Sequence, residues 1–112
     1  MSESVTARPV RQMESTAAKL PVHIRQNCEV DYEVVNVRKD AQDEIEWCSD
    51  SEDFVIEFES SPFKSNRFVV SSGQCVSSGP VRSDAAYARY HYTIRSAANL
   101  AMSADPDVDV RH

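Results

Sequence analysis

From Leu20 onward, apolar side chains recur at every second position, and Leu20, Val22 and Ile24 fall in one phase. A period of two is the signature of a half-buried strand. Val30, Tyr32 and Val34 continue it, but Val35 and Val37 follow in the opposite phase, as a bulge near Val34 and Val35 would produce. The polar run from Arg38 to Glu44 predicts a turn. Beyond it Ile45 and Trp47 share one face, and Glu44, Glu46 and Cys48 take the other. A second polar turn, Ser49 to Asp53, leads to Phe54, Ile56 and Phe58 on one face with Glu57 and Glu59 away from it. Inverting this register would bury carboxylates, which costs several kcal/mol unless they are paired or neutralised.

Between Ser60 and Pro80 the alternation loosens, leaving Phe68 to Val70 as a short apolar piece, and both glycines, Gly73 and Gly79, fall here. Loops with one short strand are expected. The strand from Tyr87 to Arg95 sets Tyr90, Tyr92 and Ile94 opposite Arg89, His91 and Thr93. At the end of the chain Val108 and Val110 point inward, with Asp107 and Asp109 outward. Short strands with turn chemistry every roughly 8–12 residues describe an all-β antiparallel sandwich. The sandwich domain is expected over residues 19–112. Residues 1–18, without a regular apolar pattern, read as a mobile N-terminal arm.

The net charge of -6 and the absence of a Lys/Arg cluster argue against nucleic acid, whose binding rests on neutralising phosphates. No apolar run is long enough to span a bilayer and none reads as a secretory signal, so a cytoplasmic chain without membrane contact is expected. Cys28, Cys48 and Cys75 show no CxxC spacing, and three thiols cannot all pair. In a cytoplasmic chain they are expected to be reduced and packed as small hydrophobes.

Candidate chemistry is sparse. His23 and Cys28, with Cys75 or His91, match no zinc spacing. His91 reads as a solvated or cross-strand hydrogen-bonded side chain. Asp105, Asp107 and Asp109 lack the glycine and terminal glutamate of a calcium loop, so an acidic outward face is expected. No serine lies in a GxSxG turn, and Glu57 and Glu59 point out of the sheet. No catalytic, cofactor or metal residue is assigned.

The order of features from Glu44 on resembles the cupredoxin-like superfamily: EIEWCS, DFVIEFES, the SPF loop at Ser61 to Phe63, SGPV at Ser78 to Val81, then YHYTI and DPDVDV. The likeness spans about Pro21 to Arg111 and implies a Greek-key β-sandwich, in particular that of small bacterial relatives without blue copper. Classical members hold copper with a His at the start of the strand matching DFVIEF, and with Cys, His and usually Met from the loop after the strand matching YHYTI. Here Phe54 stands where the first His would be and Thr93 or Ile94 where the Cys would be, while the loop SAANLAMSA offers Met102 alone. The resemblance therefore implies a metal-free, non-enzymatic binding or structural module acting through a protein partner or homo-oligomer, at an edge strand or at its loop end. The alternative is a metal-binding or redox protein with a non-standard Cys/His site. Pro62, Phe63 and His91 are the candidate partner contacts, and Phe54 and Phe63 are expected near the end where copper would sit.

Overall fold

A computed structural model describes residues 17–98 and 102–112 of the chain. These residues form nine strands: β1 (Lys19–Ile24), β2 (Val34–Arg38), β3 (Glu44–Ser49), β4 (Phe54–Phe58), β5 (Arg67–Val70), β6 (Cys75–Ser77), β7 (Arg89–Ser96), β8 (Ser103–Ala104) and β9 (Asp107–Arg111). One sheet has the order β2-β9-β7-β4-β5, with β8 pairing off β7, and the other has the order β1-β3-β6. The sandwich expected from the alternation is present. Each sheet also contains one parallel pair, β2 with β9 and β1 with β3, beside its antiparallel neighbours.

The inward phase of each strand builds one core. Val22, Ile24, Val35, Val37, Ile45, Phe54, Ile56, Ile94, Val108 and Val110 are buried in it. Trp47 sits among Phe58, Phe63, Phe68 and Tyr92, with ring centroids 5.1–6.4 Å away. Its indole N–H donates to the Tyr92 hydroxyl at 3.3 Å, which gives both polar atoms a partner inside the apolar layer. Burial, above all, pushes the Tyr92 phenol up to about 12, so it stays a neutral donor and acceptor.

Asp43 joins the two layers at one corner. Its buried carboxylate accepts from the Ala18 N–H at 2.9 Å, the Arg38 N–H at 2.9 Å, and the Arg38 guanidinium at 2.9 and 3.0 Å. Burial alone would raise this carboxyl, but those donors and the Arg38 charge outweigh it and hold it below the ordinary carboxylate range. Ala18 also accepts from the Glu44 N–H at 2.8 Å, so the chain is tied to the sandwich from Ala18. The rest of the arm expected over 1–18 lies, at residues 1–16, outside the described residues.

The phase slip near Val34 has a different cause from a bulge. β1 ends in a short 3-10 turn, Gln26–Cys28, in which Asn27 and Cys28 take left-handed φ values of 66° and 61°. After a single bridge between Ile24 and Val30, β2 begins afresh at Val34. An isolated bridge at Val30 and one strand from Val34 stand where one bulged strand was expected.

Cys48 and Cys75 form a disulfide, while Cys28 is free and buried. This corrects the expectation of three reduced cysteines and, with it, the cytoplasmic assignment, because disulfides persist in oxidising compartments. The register explains the pairing. Cys48 faces Cys75 across β3 and β6, and the flanking bonds from Ser49 to Gln74 and from Ser78 to Ile45 make theirs a non-hydrogen-bonded pair, the kind that brings backbones closest. Their Cα atoms are 4.0 Å apart.

Candidate functional site

The resemblance puts any copper site at the end of the sandwich where β4 begins and β7 stops. Phe54, at the lost His position, is fully buried there and pairs with Ser96. Ile94 is buried, and the Thr93 hydroxyl donates to Asp105 at 3.2 Å. The 3-10 turn brings Cys28 to the same end, where its thiol donates to the Met102 carbonyl at 3.5 Å. Burial pushes this thiol up, the Ser96 backbone draws it partly back, and the Glu52 charge raises it further, so it remains a protonated packing group.

All three histidines of the chain lie elsewhere. His23 is on the outer face of β1, and His112 stacks on Tyr87 with centroids 4.0 Å apart. His91 projects from β7 with its Nδ1 2.5 Å from an Asp107 carboxylate oxygen, in a ladder where Arg89 and Arg111 flank Asp109. The Arg111 hydrogen bond, partly opposed by desolvation and helped by Arg89, lowers the Asp109 carboxyl.

Of the three candidate partner contacts, only His91 presents its side chain at the surface. Pro62 is buried. Phe63 is 1% exposed and packs edge-on against Phe58 at 5.8 Å and Trp47 at 6.4 Å. It lies at the Phe58 end of β4, so Phe63 and Phe54 do not share the copper end as expected. The tight SPF turn explains this, since Ser61 accepts from the Phe63 N–H and folds the ring back under the sheet it has just left.

Sequence reasoning missed the edge of β2, which no other strand covers among the described residues. Within a parallel ladder only alternate residues bond to the neighbour. Asp107 donates to the Glu33 carbonyl and Lys39 donates to Arg111, so Val35 and Val37 serve β9. The backbone groups of Val34 and Asn36 therefore face away from the sheet. Arg38, next in that phase, is taken up at its N–H by the Asp43 carboxylate and at its carbonyl by the Asp43 N–H. Beside this edge runs a groove of about 320 Å³ lined by Leu20, Pro21, Tyr32, Val34, Val35 and Asn36. Tyr32 is 57% and Val34 39% exposed on it.

The opposite wall of the groove is blunted. The β1–β3 register points Leu20 and Val22 toward β3, which leaves the nitrogen of Pro21, lacking any N–H, on the outer side. His23, next along, is bonded through its N–H to Asp31 at 3.0 Å and through its carbonyl to the Asp31 N–H. The signal that could have revealed the β2 edge was the phase slip itself, which left Tyr32 and Val34 outside the core.

No known protein family matches the chain, and no curated protein does. Among solved structures, a proline-to-glycine mutant of amicyanin in its reduced Cu(I) form at pH 4 superposes with a TM-score of 0.57 and 12% identity, over 83% of this chain and 82% of that one. The fold is cupredoxin-like. At this identity the likeness carries architecture alone, and function must be argued from the residues. A blue-copper site needs a thiolate and imidazoles around the metal. This cupredoxin-like sandwich supplies Phe54, Ile94 and a protonated Cys28 at that end, so its donor set does not fit copper.

Proposed function

We propose that this cupredoxin-like domain is a non-enzymatic binding module that takes an extended segment of a partner protein as an added strand along β2. The observation that supports the reading is the outward-facing backbone of Val34 and Asn36 beside an apolar groove. Unpaired strand edges template the addition of another strand, and natural proteins blunt the edges they do not use. In this chain Pro21 and Asp31 blunt β1, while β5, at the far end of the large sheet, packs beside β6. Main-chain hydrogen bonds to Val34 and Asn36 supply affinity, and the groove selects the side chains that alternate along the incoming strand. Tyr32 at the rim is the aromatic anchor, a role in which such residues are enriched at interfaces.

Photo-crosslinking tests this directly. A benzophenone amino acid is placed at Tyr32 or, as a control, at Val69 on β5, and the crosslinked peptides are identified by mass spectrometry. The expected result is a reproducible extended segment captured from Tyr32 and absent from Val69. Asn36→Pro removes only an outward N–H, so it should abolish capture while leaving the melting temperature within about 2 °C. Capture from both edges alike, or capture unaffected by Asn36→Pro, would contradict strand addition. Capture of this same chain would identify the occupant as a second copy.

A further inference from the structure

The outer face of the small sheet carries a second cluster, on the opposite side of β3 from the core. Glu46 and Cys48 on β3 and Cys75 on β6 hold a carboxylate oxygen and two sulfurs within 4.8 Å of one another. Alternation sets them there, since Ile45 and Trp47 take the inward phase and leave Glu46 and Cys48 outward. Cys75 is exposed and sits in the three-residue strand β6, with only the turn at Ser71–Gln74 before it. Glu44, two residues before Glu46, accepts from the Ser77 hydroxyl at 2.5 Å. The Glu46 carboxylate has no hydrogen bond or ion pair among the described residues, so it is uncommitted. His23 lies in the same cross-sheet row, directly beside Cys48 on β1.

We propose that Cys48, Cys75 and Glu46 form a redox-gated site for a thiophilic divalent cation, zinc being the model ion. In the oxidised chain the disulfide ties up both sulfurs and the site is closed. A dithiol reductant opens it: the S–S bond breaks, two electrons and two protons pass to the protein sulfurs, and the reductant's two thiols become its own disulfide. The attacking thiolate reaches the bond from solvent on the Cys75 side, and exposed disulfides are the labile ones. The freed sulfurs then part to the roughly 3.8 Å that two thiolates subtend on a tetrahedral zinc. Metal binding displaces the two thiol protons, Glu46 supplies the third donor, and the fourth position faces solvent. The two thiolates favour this ion class over calcium or magnesium, which take oxygen ligands alone. The site is independent of the β2 edge, and neither stands or falls with the other.

The test is native mass spectrometry of the whole chain with zinc ions alone, before and after reduction with a phosphine, with circular dichroism recorded on each sample. The expected result is one zinc per reduced, folded chain and none on the oxidised chain. Cys28→Ser should bind as the parent does, Cys75→Ser should lose the metal, and Glu46→Gln should weaken binding at least tenfold. No zinc on the reduced chain, equal zinc on the oxidised chain, or binding indifferent to Glu46→Gln would overturn the proposal. Zinc held only by an unfolded reduced chain would overturn it as well, since a disordered dithiol needs no Glu46.

Discussion

A single buried carboxylate, Asp43, closes the corner where β1, β2 and β3 meet. Its folded pKa is depressed, so the stabilisation it contributes is fully present above the unfolded value of about 3.9 and is lost as pH falls through the lower folded value. Asp43→Asn keeps the shape but removes the charge, and should cost about 1.5–3 kcal/mol, the worth of hydrogen bonds to a charged group. Urea unfolding at pH 7 and pH 3 checks both statements, because the difference between parent and variant should shrink at the lower pH. Phe63 makes a contrasting case. With 1% of its surface exposed and rings on two sides, Phe63→Ala should lose about 3 to 5 kcal/mol, as aromatic truncations in cores do. A loss below about 1 kcal/mol in denaturant unfolding would mean the SPF turn does not hold the ring in the core.

At the scale of strands, what could be read from the sequence followed the length and purity of the alternation. β3, β4, β7 and β9 each set apolar residues against charged ones, and their inward sets are those found in the core. Pairing was less legible, because β1 joins β3 and β2 joins β9 in parallel across long stretches of chain that local pattern does not encode. β6 was the hardest, since CVS is too short for a period to show, and without its register nothing placed Cys75 opposite Cys48. An odd number of cysteines had excluded full pairing but not one bridge. The pairing predicts one thiol per chain in denaturant without reductant and three after reduction, counted by alkylation and mass. Three thiols before reduction would show that β3 and β6 are not covalently joined. The copper end, by contrast, was readable at Phe54 and Ile94, where the sequence lacks the ligands and the structure buries hydrocarbon.

For the molecule as a whole, the two layers leave strand edges that differ in how they are finished. Proline and a bonded aspartate close β1, the small sheet lies beside β5, and β2 keeps its outward amides beside a groove. That asymmetry is the basis for reading this cupredoxin-like sandwich as a module that works from its side rather than from its metal end. Neither the edge nor the groove was visible in composition or motif, because both arise from where the phase slip falls in three dimensions. Amide hydrogen exchange, resolved residue by residue by NMR on the isolated protein, tests the claim most directly. Val35 and Val37, bonded into the β9 ladder, should be strongly protected, while Val34 and Asn36, which alternate with them, should exchange at nearly unprotected rates. Equal protection at all four amides would mean that the β2 edge is already covered, and would contradict its role as the accepting strand.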